Sequence, residues 1–200
     1  APKEFVVKDA AGMTSRHQGP DVDAHGFVTP PVGPQTRTVL YLFSGLSRAN
    51  DLACHLRSKG LTKGLVLRII EVDVCRNADH NLLKHDLQMA ILSDVEGCRI
   101  DMLIISPPCG TWSRAMFNRT VRGPLPLRSR THPWGFPWLT GPRKEKVTKA
   151  NVLTKFAFKL IDWAASAGIG VMLEHPEDLG IYHTGEYPAS IWQLPCMQEL

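Results

Sequence analysis

Four short apolar runs, each ending in polar or proline-containing residues, constrain the fold of this chain most strongly. They are residues 38–43 (TVLYLF), 65–70 (LVLRII), 101–106 (DMLIIS) and 169–174 (IGVMLE). Continuous apolar runs of this length are typical of strands buried on both faces, as in parallel sheets covered by helices. The pattern therefore predicts an α/β fold with a mostly parallel sheet and helices on both faces.

Two helices are predicted between these strands. The first runs from Ser47 to Lys59, and Gly60 is expected to close it as a carboxyl-terminal cap. The second runs from about Lys144 to Ala167 and is stopped by Gly168, immediately before the last strand. Its apolar face repeats at three- and four-residue spacing through Leu153, Phe156, Ala157, Leu160, Ile161 and Ala164. A polar stretch with helical character leads from the second strand to residues 85–87.

The N-terminal segment, the lengths of the apolar runs and the cysteine pattern restrict the class of protein and its cellular compartment. Residues 1–37 carry scattered prolines and glycines without periodicity, which predicts an irregular extension before a domain over 38–200. No apolar run approaches the roughly 18 residues of a membrane span, and no secretion signal begins the chain. The five cysteines include no Cys-x-x-Cys pair, which favours a reducing compartment over a disulfide or zinc scaffold. We expect an intracellular protein, nuclear if its source is eukaryotic, without a membrane partner or bound metal.

Positive charge is concentrated in one segment. The whole chain has a net charge of +4, but residues 110–146 hold eight basic residues and one acid, which leaves the remainder at −3. Trp112, Phe117, Trp134, Phe136 and Trp138 are interleaved with these arginines and lysines. Basic side chains with aromatic platforms are typical of phosphate and base binding, although a packed, proline-stiffened loop is the alternative. We interpret the segment as a nucleic-acid contact.

Candidate functional residues follow all four predicted strands, where parallel sheets bind their ligands. Ser44-Gly45 is either a tight turn or part of a cofactor loop. Glu71 is either a solvated carboxylate or a ligand for a ribose diol. The functional readings of Ser44-Gly45 and of Glu71 rest only on their positions directly after predicted strands.

The other two strand ends carry reactive groups. Cys109 follows Pro107 and Pro108, whose rings stiffen the backbone, and we interpret it as a nucleophile rather than a small buried apolar residue. Arg114 is the first of the basic neighbours that would favour its thiolate. Glu174 would donate a proton from an enclosed apolar site, or else cap the next turn, whereas a hydrogen-bonding role is expected for His175.

The candidate motifs and their order along the chain resemble those of the C5-cytosine methyltransferase family over roughly residues 38–180. The loop 107–113 (PPCGTWS) is similar to the cysteine loop of that family, and 42–45 (LFSG) and 71–82 (EVDVCRNADHNL) are similar to its two S-adenosylmethionine motifs. Asp86 stands where the family reads the adenine, and Glu174 in LEHPEDLG matches the glutamate of its Glu-Asn-Val motif. The resemblance implies a Rossmann-like methyltransferase fold.

The resemblance also implies specific roles. Cys109 and Glu174 would be catalytic and would methylate C5 of cytosine, in DNA in preference to RNA. S-adenosylmethionine would be held by Phe43, Ser44, Gly45, Leu46, Glu71, Asp86 and Pro107. The nucleic acid would be held by Ser113, Arg114, Arg119, Arg122, Arg128 and Arg130.

Departures from the family keep two alternatives open. Ser47 replaces a glycine of the first motif, Gly110 a glutamine, and His175 an asparagine. The later arginine motif and the recognition region are not reached by Leu200, so we expect a fragment or a divergent member that lacks the last strands. A binding domain without the chemistry is the main alternative. An amino-methyltransferase is the weaker one, because Cys109 stands where its loop has an aromatic residue.

Overall fold

A computed structural model describes residues 35–117, 125–178 and 187–200. The first 34 residues, which make up most of the predicted extension, lie outside this described part. The extension was expected to reach residue 37, but the first strand already begins at Gln35.

The sheet of the described residues has four strands, all parallel. They are β1 (Gln35–Leu42), β2 (Leu65–Val72), β3 (Met102–Ile105) and β4 (Gly170–Leu173). Their order is β2-β1-β3-β4, with Leu42 in register with Val72 on one side and Ile105 on the other. The predicted parallel sheet is confirmed, and all four strands overlap the apolar runs that predicted them. This α/β architecture is compatible with a Rossmann-like fold.

Both faces of the sheet are buried. Neighbouring residues of a strand point to opposite faces, and Val39, Leu40, Leu103 and Ile104 are all buried. Right-handed crossovers, the rule for parallel strands, would place α1 (Leu52–Thr62) on one face. The same rule would place α2 (His85–Glu96) and α3 (Gly141–Ser166), which contact each other, on the opposite face.

Helix α1 differs from its prediction at both ends. It begins after Asp51, whose side chain accepts a hydrogen bond from the backbone N–H of Cys54 and so caps the first turn. Gly60 is not the cap but a buried residue inside the helix, where an added Cβ would lie 2.9 Å from Cγ of Leu67. The left-handed position is Gly64, with φ of 71°, one residue beyond the Lys63 cap. Gly60 is therefore required by the close approach of α1 to β2.

Helix α3 matches its predicted face. Phe156, Ala157, Leu160, Ile161 and Ala164 are buried, and Leu153 packs against the same core. The helix begins three residues earlier than predicted and ends as expected before Gly168, whose φ is 70°.

Helix α2 begins where the polar stretch was expected to end. It buries Leu87, Ile91, Leu92 and Val95 against the core. A short 3₁₀ turn at Ala78–His80 precedes it, and the last described elements are a 3₁₀ turn at Ile191–Gln193 and α4 (Pro195–Gln198). No helix of the described residues is long and apolar enough to cross a membrane.

Candidate functional site at the carboxyl edge of the sheet

The carboxyl ends of the four strands lie at one edge of the sheet. Backbone pairing continues past three of the strands: Phe43 N–H donates to Val72, Ser106 N–H to Leu42, and Glu174 N–H to Ile105. The chain runs from β1 to its neighbour β2 and then crosses to β3 on the other side of β1, so the switch point where such sheets bind ligands lies between β1 and β3. The parallel sheet therefore brings together the strand ends that carry the candidate residues.

The turn after β1 is closed by residues that follow β2. Phe43 and Gly45 have left-handed backbones, with φ of 59° and 69°. The N–H of Gly45 donates to Asp73 Oδ2 at 2.9 Å, and its carbonyl accepts from Arg76 Nε at 2.6 Å. The buried Ser44 hydroxyl has no hydrogen-bond partner among the described residues. The turn therefore keeps one unpartnered polar group next to the switch point.

Glu71 is neutralised by two arginines. Its Oε1 accepts from Arg76 Nη2 at 2.6 Å and its Oε2 from Arg57 Nη2 at 3.4 Å. The Glu71 side chain is only 13% exposed and that of Arg76 only 19%, so water screens their attraction less than it would that of a surface ion pair. A ribose diol would have to replace a guanidinium here.

The other predicted cofactor residues have different environments. Leu46 is exposed in the turn, Pro107 is buried, and Asp86 is exposed in the first turn of α2. Within the described residues, no hydrogen bond or ion pair joins Asp86 to the turn after β1 or to Glu71. All of the predicted cofactor residues except Asp86 share a position at the carboxyl edge of the sheet.

Cys109 is exposed on a tight turn after β3. Its carbonyl accepts hydrogen bonds from the N–H groups of Trp112 and Ser113 at 2.8 and 2.9 Å. Pro107 is buried and Pro108 is exposed, so the chain rises from the core to the surface within three residues. Cys109 is therefore not the buried apolar residue of the alternative.

Glu174 and His175 both differ from their expected environments. Glu174 was expected in an enclosed apolar site but is exposed at the end of β4. His175 was expected to hydrogen bond, yet it is buried and neither ring nitrogen has a partner among the described residues. Its ring lies edge-on to Trp112, with centroids 6.3 Å apart. Burial lowers the pKa of His175 to about 4, with the Pro176 backbone opposing the shift and the positive charge of Arg128 adding to it, so the ring is neutral at pH 7.

Arg128 is a structural residue rather than a surface phosphate contact. It is 1% exposed, its Nε and Nη2 donate to Thr111 Oγ1, and its Nη1 donates to Asn151 Oδ1 and the carbonyl of Pro133. The guanidinium carbon lies 3.9 Å from the centre of the Trp112 ring. Burial lowers the pKa of Arg128 to about 9, which leaves it charged at neutral pH. The prediction that Arg128 contacts nucleic acid directly is wrong for this structure, because its donors point inward.

The basic and aromatic segment divides into a buried and an exposed part. Trp112 is buried and meets Trp134 edge to face, with centroids 6.0 Å apart. Phe136 stacks on Trp138 at 4.6 Å, and Trp138 is 64% exposed. Only the exposed part, at Trp138, is accessible for contact with a nucleic-acid base.

The remaining predicted nucleic-acid residues are only partly described. Arg130 is exposed and Ser113 is half-buried. Arg119 and Arg122 lie outside the described residues, as does the side chain of Arg114.

Several residues that shape this edge were not predicted. Arg57 and Arg76 neutralise Glu71, and Asn151 of α3 holds Arg128. Lys146 and Lys149 of α3 line a pocket beside Pro108, Gly110 and Thr111. Their charge is evident in the sequence, but they lie 35 residues or more after Thr111, Gly110 and Pro108, so the sequence alone does not predict the contact.

Comparisons with protein-family models, curated proteins and solved structures gave no match to this chain. The likeness to C5-cytosine methyltransferases therefore rests on the motifs at the strand ends.

Removing the Arg128 guanidinium should destabilise the fold. Arg128→Leu leaves Thr111, Asn151 and the Pro133 carbonyl without their donors, which we expect to lower the free energy of unfolding by about 3 kcal/mol. Arg128→Lys should restore only part of this, because an ammonium cannot reach all three acceptors from one plane. Denaturant melts measure both, with the exposed Arg130→Gln as control, expected within about 0.5 kcal/mol of the parent. Full stability of Arg128→Lys would contradict this role.

His175 should make stability depend on pH. Its folded pKa of about 4 lies below the ordinary value of 6.5, so protons bind the unfolded state preferentially between these values. The contribution is fully present above pH 6.5 and is lost as the pH falls, by up to about 1.4 kcal/mol per pH unit. Urea melts from pH 7 to 4 should show a shallower decline for His175→Gln than for the parent. The exposed His55→Gln should follow the parent, and parallel curves for all three proteins would refute the prediction.

Proposed function

We propose that this chain transfers a methyl group to C5 of cytosine in DNA, using S-adenosylmethionine as the donor. The observation that carries the proposal is the exposed thiol of Cys109 on a tight turn after β3, beside the end of β4 that bears Glu174. The turn after β1, where a donor would bind, flanks β3 on its other side. A nucleophile, a proton donor and a cofactor turn thus follow three neighbouring strands.

The chemistry assigned to the two catalytic residues balances in four steps. The Cys109 thiolate forms a bond to C6 of the cytosine, and the C5–C6 π electrons move toward C5 and N3. Glu174 donates a hydrogen bond or proton to N3 and so stabilises the negative charge there. C5 would then take the methyl group of the donor, whose sulfonium S–CH₃ bond would break and leave its electron pair on the donor's sulfur. A base removes the C5 proton, and the electron pair left behind expels the sulfur of Cys109.

Exposure suits this assignment in the free protein. Cys109 and Glu174 are both open to solvent, so a cytosine could approach them without rearrangement of the core. In duplex DNA the base would first have to leave its stack, and the exposed Trp138, which stacks on the half-buried Phe136, offers an aromatic surface within the basic segment. The bound DNA would then exclude water from around Glu174.

Two features of the turn after β1 support an S-adenosyl donor. Ser44 offers a buried, unpartnered hydroxyl, and an added Cβ at Gly45 would meet nothing within 4 Å, so the turn leaves open space. Glu71 would hold a ribose diol once Arg76 gives up its place on Oε1. The donor supplies an electrophilic methyl group, and these residues would only bind and orient it.

The nucleophile can be trapped with 5-fluorocytosine, whose C5 substituent cannot leave as a proton. We expect a stable covalent complex between the full chain and an oligodeoxynucleotide that contains this base, formed with S-adenosylmethionine present and seen as a shifted band under denaturing conditions. Cys109→Ala should abolish the complex. Glu174→Gln should slow its formation by about a hundredfold, which is the usual contribution of a positioned acid.

Cys54→Ala is the matched control, because Cys54 is also exposed but lies on α1. It should form the complex at the parental rate. A complex that persists in Cys109→Ala, or a folded parent that forms none, would defeat the mechanism.

A nucleic-acid-binding domain without the chemistry is the second candidate. It is favoured by the state of Glu71, both of whose carboxylate oxygens are held by arginines, and by the Gly45 N–H, which is already bonded to Asp73. Such a domain would keep the sheet and its basic side but bind no donor.

Calorimetric titration with S-adenosylmethionine separates the two candidates. For the enzyme we expect measurable binding that Glu71→Gln weakens at least tenfold, since the amide is a poorer partner for a diol. Glu96→Gln, a change of the same type at an exposed position of α2, should bind like the parent. Absence of binding to a folded parent that still binds DNA would favour the binding domain.

A further inference from the structure

Trp138 is the exposed member of a small aromatic cluster just before α3. Its indole is 64% exposed and stacks on the Phe136 ring, with centroids 4.6 Å apart and 12° between the planes. The His132 ring lies 5.7 Å from both rings, so it sits beside the stack and not on the far face of the indole. Phe136 therefore covers one face of the indole, and the other face is open to a ligand.

The loop that carries the indole holds it in place. Pro137 fixes a backbone angle between the two stacked rings, and the Leu139 N–H donates to the Phe136 carbonyl at 3.3 Å. Gly135 has φ of 114°, and a Cβ added there would lie 2.6 Å from Cγ1 of Val147, so the loop packs tightly onto α3. A ring that is fixed before binding loses little conformational entropy when a ligand stacks on it.

Positive charge surrounds the cluster. Residues 125–146 carry four exposed basic side chains and one acid. Arg130 is one of the four, makes no ion pair among the described residues, and lies over the Tyr187 ring at 6.0 Å. It precedes His132 by two residues, so their Cα atoms are at most about 7 Å apart. An open aromatic face with uncompensated cations around it suits a base on a phosphate backbone better than an uncharged peptide.

The single open face restricts the kind of nucleic acid that can bind. A side chain that wedges into a duplex inserts between two base steps and contacts a base on each side. The Trp138 indole can stack on one base only, because Phe136 occupies its other face. Within a continuous duplex both faces of each base are stacked on its neighbours, whereas an unpaired base has a free face.

We propose that Trp138 is a stacking platform for an unpaired base of single-stranded DNA, with Arg130 beside it to neutralise a backbone phosphate. The surface thus selects single strands over duplexes. On such a strand a cytosine would reach Cys109 without the cost of leaving a duplex stack. That the bound strand is the one to be methylated rests on the proposed function, but the preference for unpaired bases follows from the aromatic cluster itself.

The test measures binding of the full chain to a short, fluorescently labelled oligodeoxythymidine strand by anisotropy. Trp138→Leu should lower the affinity about tenfold, the usual effect of losing one base stack. Trp138→Phe should restore most of the affinity, because a phenyl ring keeps a stacking face. On an abasic strand of equal length, which keeps every phosphate, Trp138→Leu should bind like the parent.

Leu125→Ala is the matched control, because Leu125 is also 64% exposed and lies in the same basic segment but has no ring. It should bind the thymidine strand like the parent. Arg130→Gln should make the plot of log K against log salt shallower by about 0.7, the value for one phosphate on a single strand. An unchanged slope would refute the role assigned to Arg130.

Three results would overturn the proposal. One is an equal loss of affinity by Trp138→Leu on the thymidine and abasic strands, because a stacking contact needs a base. Another is an equal loss on a relaxed circular duplex, which has neither ends nor unpaired bases and should bind Trp138→Leu and the parent alike. The third is a larger Trp138-dependent affinity for oligouridine RNA, which would contradict the assignment to DNA.

Covalent trapping separates this proposal from the proposed function. A parent that forms no complex with 5-fluorocytosine DNA but shows Trp138-dependent binding of single strands would keep the platform and remove the methyltransferase. A parent that forms the complex, while Trp138→Leu binds every oligonucleotide as the parent does, would keep the methyltransferase and remove the platform.

Discussion

The buried guanidinium of Arg128 is the interaction on which the candidate site depends. It joins Thr111 of the cysteine loop, the carbonyl of Pro133 and Asn151 of α3, and it stacks on Trp112. A buried charge persists only when hydrogen bonds compensate for its lost hydration. By satisfying the guanidinium with groups from separate segments, the fold fixes the loop that exposes Cys109, and it also places positive charge behind that loop.

Electrostatics differ between the two sides of the sheet edge. On the β2 side, Glu71 is balanced by Arg76 and Arg57, so a donor must compete with existing ion pairs. On the β3 side, Arg128, Lys146 and Lys149 outnumber Glu145, so a polyanion meets little local competition. Because of this asymmetry, donor binding is the half of the proposal that decides between an enzyme and a binding domain.

Much of the fold could be predicted from the sequence, because apolar runs and helical periodicity are local signals. The four strands, the buried face of α3 and the end of that helix at Gly168 were predicted in this way. The errors concern long-range partners. Gly60 resembles a cap until β2 packs against it, and Arg128 resembles a phosphate contact until Thr111 and Asn151, both distant in sequence, take its donors. The exposure of Glu174 likewise depends on what covers the end of β4.

The central claim is that Cys109 adds to C6 of cytosine, and hydrogen exchange at C5 tests it most directly. Addition at C6 makes the C5 position exchange its hydrogen with solvent even when no methyl group is transferred, so the readout does not depend on donor affinity. An oligodeoxynucleotide deuterated at C5 of cytosine should lose deuterium to water with the parent protein and keep it with Cys109→Ser. Retention of deuterium with the folded parent, or equal loss with Cys109→Ser, would contradict the account.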